Sequence, residues 1–251
     1  MSVKKQHPII LIFDFDGVLL NSSGASMAVL QCMKDPWFEW NREELGKYGP
    51  IDLIKIFEKS DAPGNFTSGR NIYKNFRTLL PARYKRIRFF IRVYKNLRKY
   101  EYSYGNLIPG IEEILRKLYD KGVIMGICTN SEVKRIQFWM NKNNILKNSI
   151  SAVIARDERS KYGLKPDPGL IYGLILKLKR KFNLGSINRA ERVFFVGDNA
   201  SDIKAASNAG VKSIAVLSGH GTSEELKNSE ADYIIDSIAD IFSIPELAEF
   251  I

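Results

Sequence analysis

Short, continuously apolar runs alternate with helix-length amphipathic stretches along most of this chain, and that alternation constrains the fold more than any other feature. The runs are IILIF at residues 9–13, VIMGIC at 123–128, AVIA at 152–155, VFFV at 193–196, SIAVL at 213–217 and YII at 233–235. Patterns of helical period, such as residues 111–121 and 200–209, separate them. Strands that are apolar on both faces and joined by helices imply a parallel sheet with helices on both sides. The first run would join that sheet from a distance, because residues 20–105 carry no convincing β pattern. That stretch reads as amphipathic helices interrupted at Gly49 and Pro50, at residues 62–65 and at Pro81. The expected organisation is an α/β core of residues 1–20 and 106–251, with residues 21–105 inserted as a helical cap domain.

Composition narrows the classes. At 251 residues, with 45% hydrophobic and 26% charged content, the chain can bury a substantial core. No apolar run approaches the roughly 18 residues of a membrane span. The five-residue stretch behind Lys4 and Lys5 is too short for a signal peptide, whose apolar region needs about 7–15 residues. The two cysteines, Cys32 and Cys128, lack metal-ligand spacing, so a reduced, cytoplasmic protein is expected. The net charge of +10 is uneven: residues 70–99 hold eleven Lys and Arg and no acid, leaving the remainder near neutrality.

Ligands of open α/β sheets bind beyond the carboxyl ends of the strands, so the residues after each run matter most. Asp14, Phe15, Asp16 and Gly17 follow the first; Thr129, Asn130 and Ser131 follow the second. Lys165, Pro166 and Asp167 lie beyond the third, and Asp198, Asn199 and Asp202 follow the fourth. Carboxylates gathered in one crevice repel one another unless a cation neutralises them. An oxygen-only donor set selects a hard ion, with Mg²⁺ the best match. One carboxylate can attack phosphorus and a second can exchange protons with the leaving oxygen and with water. A Thr hydroxyl and a Lys ammonium can hold phosphoryl oxygens. Residues two apart on a strand lean to one side, so Asp14 and Asp16 can face one reacting group, and Gly17 lets the chain turn away.

DFDGVLLNS, CTNS, KPDP and GDNASD, in this order and spacing, resemble the four motifs of the haloacid dehalogenase superfamily. They are most similar to its phosphoglycolate-phosphatase-like branch, which carries a helical cap between the first two motifs. The resemblance covers residues 8–20 and 106–240 and implies a Rossmann-like core. It further implies that Asp14 is the nucleophile, Asp16 the general acid/base and Lys165 the group steadying nucleophile and phosphoryl. Thr129 would bind phosphate with help from the Asn130 amide, and Gly17 would border the substrate. Asp14, the Asp16 backbone carbonyl and Asp198 would ligate Mg²⁺, with Asp202 supporting it directly or through water. The implied activity is hydrolysis of a small phosphate monoester, phosphoglycolate-like or a sugar phosphate, through an aspartyl-phosphate. Sugar phosphomutases of similar appearance make phosphotransfer the alternative. Asn21 departs from the branch, where many members carry Asp; the position lies at the cap hinge and bears on substrate choice.

Outside the motifs, Cys128 reads as core, His7 as incidental, and His220 as a rim residue within reach of substrate. Behind Pro81, Tyr84, Ile87, Ile91 and Tyr94 recur at helical spacing, with Lys85, Arg88, Arg92, Lys95 and Lys99 on a neighbouring face. The expectation is an amphipathic helix with a basic face. That face is either solvated, attracts an acidic substrate, or binds nucleic acid or an anionic membrane. Nucleic-acid binding is the rival to catalysis for the protein as a whole. A small phosphorylated metabolite is the expected partner, and the chain is expected to be a monomer or homodimer.

Overall fold

The computed structural model describes residues 8–21, 23–41, 43, 77–219 and 221–248. The sequence readings at His7, His220, Arg70, Lys74, Gly49, Pro50 and residues 62–65 lie outside the described residues. Chain contacts divide the molecule into two units, residues 1–20 with 107–251, and residues 21–106.

In the first unit six parallel strands form one sheet: β1 (Ile10–Phe13), β2 (Ile124–Cys128), β3 (Ile150–Ile154), β4 (Val193–Gly197), β5 (Lys212–Val216) and β6 (Tyr233–Ile235). Their spatial order is β3-β2-β1-β4-β5-β6. Chain connections run outward in opposite directions from β1 and β4, which makes their junction the switch point where α/β sheets bind ligands. This is the α/β Rossmann-like architecture that the apolar runs imply.

Alternation along β1 explains why the strand is apolar throughout. Ile9, Leu11 and Phe13 pack on one face, with Ile111, Leu115 and Leu118 of α3 (Ile111–Asp120) and Ile136 and Trp139 of α4 (Val133–Lys142). Ile10 and Ile12 point to the other face, against Leu170, Leu174 and Leu178 of α5 (Gly169–Phe182) and Ala205, Ala206 and Ala209 of α6 (Ala200–Ala209). Burying a side chain of this size is worth about 1.5–3 kcal/mol. A sheet apolar on both faces therefore holds its strand ends rigidly.

In the second unit α1 (Ser23–Met33) and α2 (Arg83–Tyr104) contribute to a separate small core of Ala28, Val29, Cys32, Phe38, Leu79, Leu80, Phe89 and Val93. Phe38 and Trp40 meet Phe89 edge-on, at centroid distances of 5.4 and 5.0 Å. None of the described residues of this unit lies in a strand. The face of α2 corrects the sequence reading. Tyr84, Ile87, Ile91 and Tyr94 are exposed, whereas Phe89 and Val93 are buried together with Lys85 and Arg86. Arg86 is satisfied by donating to the carbonyls of Leu80 (2.6 Å) and Pro81 (2.5 Å). Lys85 leaves the basic stripe to pair with Glu39 at 2.6 Å, while Arg88, Arg92, Lys95 and Lys99 remain on the surface. Periodicity alone could not separate two apolar stripes that share the same spacing.

No helix among the described residues is long and apolar enough to cross a membrane. Cys32 and Cys128 are buried free thiols. Burial pushes the Cys128 thiol up to about 12, as expected of a core residue.

Candidate active site

The register aligns Phe13 of β1 with Ile127 of β2 and Val196 of β4. Continued one residue, it sets Asp14 beside Cys128 and Gly197, with Thr129 and Asp198 one step beyond. The Asp14 N–H donates to the Val196 carbonyl at 2.8 Å, which holds the acid at the sheet end. Gly17, at φ 72°, turns the chain back, and its N–H donates to the Leu20 carbonyl at 2.9 Å. That N–H thus makes the turn contact expected where the chain leaves the strand end.

Asp14, Asp198 and Asp202 bring one carboxylate oxygen each to within 4.8 Å of one another, and all three are buried. The Lys165 ammonium enters the cluster and lies 2.7 Å from Asp14 Oδ1 and 2.6 Å from Asp202 Oδ1. It too is buried, 5.3 Å from the centre of the Phe195 ring. Burial pushes the Asp14 carboxyl up to about 6, against the pull of Lys165 and with added repulsion from Asp202 and Asp16. Burial raises Asp202 as well, opposed mainly by Lys165. For Lys165 burial works against the charge, but Asp14 and Asp202 outweigh it and hold the ammonium above the ordinary lysine range. Lys165 thus pairs with two of the three clustered carboxylates.

Local structure fixes each acid. The Asn199 N–H donates to Asp202 Oδ2 at 3.1 Å at the start of α6, so Asp202 caps the helix with one oxygen and meets Lys165 with the other. The Asn199 side-chain amide donates to Asp198 Oδ1 at 2.8 Å. The loop at Gly219 and Gly221 closes over Asp198: a Cβ on Gly219 would stand 2.2 Å from the Asp198 Cβ, so only glycine permits this approach.

Asp14 Oδ1 is buried and ion-paired with Lys165 at 2.7 Å. The cluster gathers three buried carboxylates and offers only oxygen donors, which fits a hard divalent cation such as Mg²⁺.

Thr129 is buried, and its hydroxyl accepts the Ser131 N–H at 3.1 Å. The Asn130 side-chain oxygen accepts the Lys165 N–H at 3.1 Å and its side-chain nitrogen donates to the Lys165 carbonyl at 3.3 Å. The side-chain amide thus clamps the lysine backbone beside Thr129.

The Asp16 carboxylate stands apart from the cluster, about a third exposed. Arg135 of α4 grips both of its oxygens, Nη1 on Oδ2 at 2.6 Å and Nη2 on Oδ1. Ser131 Oγ donates to the same Oδ2 at 2.8 Å. The sequence marks Ser131 only as part of the second motif, with no role, and does not mark Arg135 at all. Arg135 lies four residues beyond Ser131 on a helix whose neighbours, Lys134 and Lys142, look like surface cations, and no motif marks it.

The model of the haloacid dehalogenase-like hydrolases matches residues 11–216. The chain is 29% identical over 140 residues to a phosphoglycolate phosphatase of Vibrio cholerae, covering 56% of this chain and 57% of that protein. It therefore spans little more than half the length of that relative. Pyrophosphatase PpaX of Oceanobacillus iheyensis is 23% identical over 235 residues, covering 93% and 95% of the two chains. A family hydrolase from Deinococcus radiodurans, crystallised with bound phosphate and sodium, superposes with a TM-score of 0.71 at 17% identity over 97% of each chain and shares the fold. With the family model covering most of its length, this chain belongs to the haloacid dehalogenase-like hydrolases.

Proposed function

We propose that this protein is a Mg²⁺-dependent phosphatase that hydrolyses a small phosphate monoester through an aspartyl-phosphate on Asp14. The observation that supports it most is the buried cluster of three carboxylates and one lysine at the β1–β4 switch point. In this mechanism an Asp14 carboxylate oxygen attacks phosphorus while the ester oxygen departs and takes a proton from Asp16. Asp16 then removes a proton from water, which attacks the phosphoryl group and frees inorganic phosphate and the Asp14 carboxylate. Lys165 and Thr129 hold the phosphoryl oxygens as charge develops on them. Asp14, Asp198 and Asp202 would hold Mg²⁺, which when bound supplies charge neutralisation beside the phosphoryl group. Asn130 keeps Lys165 in place through its backbone.

The names of the relatives support a small substrate with a second anionic group, such as phosphoglycolate or pyrophosphate. A panel of phosphorylated metabolites assayed for phosphate release in Mg²⁺ tests the proposal. Hydrolysis of at least one small ester, abolished by Asp14→Asn, is expected. Full activity in Asp14→Asn would remove the nucleophile assignment, and release of an isomerised ester without phosphate would establish a mutase instead.

A further inference from the structure

We infer that Arg135 and Ser131 are positioning residues for Asp16, holding its carboxylate so that it transfers the proton to the leaving oxygen and from water. The inference rests on the acid/base assignment of Asp16 and extends it to Ser131, which ends the second motif, and to Arg135, which lies outside all four.

Arg135 sits in the first turn of α4, which starts immediately after the β2 loop bearing Thr129. Its side chain is only 9% exposed. It runs under Asp16 with its guanidinium 5.3 Å from the centre of the Phe15 ring. A solvated surface arginine pays no such burial; this one is desolvated and turns two guanidinium nitrogens onto the Asp16 carboxylate. Arg135 Nη1 also donates to Ser131 Oγ at 2.8 Å, and that hydroxyl in turn donates a hydrogen bond to Asp16 Oδ2. The three groups close a ring in which both Asp16 oxygens are held by charge-assisted bonds. The remaining third of the Asp16 side chain faces solvent at the strand end. A bidentate guanidinium fixes a carboxylate in both direction and rotation, which a lysine in its place would not do. Proton transfer needs this precision, because small misplacements of a reacting group cost large factors in rate.

A positioning role differs from a structural one in its dependence on the leaving group. An alkyl phosphate needs a proton on its departing oxygen; 2,4-dinitrophenyl phosphate releases a stable phenolate and does not. Both need water activation in the second step. The experiment compares Arg135→Met, Arg135→Lys and Ser131→Ala with the parent on an alkyl phosphate and on the dinitrophenyl ester. Steady-state and rapid-mixing kinetics are combined, with folding verified by circular dichroism.

For Arg135→Met the alkyl phosphate rate should fall on the order of tenfold to a hundredfold, a part of what a general acid supplies. The dinitrophenyl ester should still give its phenolate burst within about threefold of the parent rate. Only the turnover that follows should slow. Arg135→Lys should recover part of the loss, and Ser131→Ala should show the same pattern more weakly. Adding Arg135→Met to Asp16→Asn should cost nothing further. Equal losses in burst and turnover for both substrates would assign Arg135 a merely structural role and overturn the inference. Should Arg135→Met fail to fold, Arg135→Lys and Ser131→Ala must carry the same pattern or the inference falls. If Asp16→Asn alone hydrolyses the alkyl phosphate at the parent rate, the acid/base assignment itself fails, an outcome separable from any result at Arg135.

Discussion

Buried charge is treated in opposite ways in the two units. Among the described residues of the helical unit, Lys85 pairs with Glu39, Glu101 with Arg98 at 3.1 Å, and Arg86 donates to two carbonyls. In the sheet unit Asp14, Asp198 and Asp202 gather their carboxylates in one buried cluster, where Lys165 pairs with two of them. Burial normally excludes uncompensated charge, because desolvating an ion costs several kcal/mol. A dispersed, paired set supports the fold, whereas carboxylates gathered in one buried cluster fit the cation and reacting group proposed for them.

The most severe way to break this contrast is to deny the sheet unit its cation. Chelation should abolish phosphate release. Mg²⁺ at about a hundredfold excess over its Kd should stabilise the folded protein by about 2.7 kcal/mol, read as a rise in Tm. Asp198→Asn should lose most of that rise. A Tm indifferent to Mg²⁺ would show that the cluster is not a metal site.

The dispersed set should respond in stability alone. Arg86→Met leaves the carbonyls of Leu80 and Pro81 without their donor, at about 1–3 kcal/mol, measured by urea unfolding. The Mg²⁺-dependent rise in Tm should survive the substitution. Its loss would blur the distinction between the two kinds of buried charge.

Asp14 offers a test of sign. Its folded pKa of about 6 stands above the ordinary carboxylate value of 3.8. The ionised form is therefore penalised in the folded state, fully above pH 6 and not at all below about pH 4. Without metal, Asp14→Asn should be more stable than the parent at pH 7.5, and this advantage should disappear on acidification. A lower Tm for the variant at pH 7.5 would mean that pairing with Lys165 outweighs burial.

The smallest effect belongs to a surface pair. Glu246 accepts from Lys212 and from the Tyr233 hydroxyl at 2.6 Å, and these bonds hold its carboxyl down at about 2. A depressed carboxyl contributes stability above its ordinary value of 4.5 that is lost as pH falls towards 2. Glu246→Gln should flatten that acid limb by no more than about 1 kcal/mol, the usual worth of exposed pairs. An unchanged limb would assign the pair no role in stability.

Much of this was legible in the sequence because two strong constraints coincided. Continuous apolar runs located all six strands to within a few residues; β3 begins earlier than AVIA because Ser151 interrupts an otherwise apolar stretch. The acids and the lysine were found because strand ends of a parallel sheet converge on one rim. What escaped was set by tertiary context. Arg135 is one of many cations on helices, and only the fold brings it under Asp16, 119 positions away in the chain. The bonds of the Asn130 side chain to the Lys165 backbone, 35 positions away, are likewise set by the fold. On α2, burial of Arg86 and Lys85 became favourable only because a carbonyl pair and Glu39 stood opposite them.

The central claim, covalent catalysis by Asp14, is most directly tested by trapping. The protein is mixed with a phosphate ester and Mg²⁺, quenched in acid within its first turnover, and its peptides are mapped by mass spectrometry. The account predicts a phosphoryl adduct on Asp14, absent from Asp14→Asn. An adduct on any other residue, or none during undiminished turnover, would contradict it.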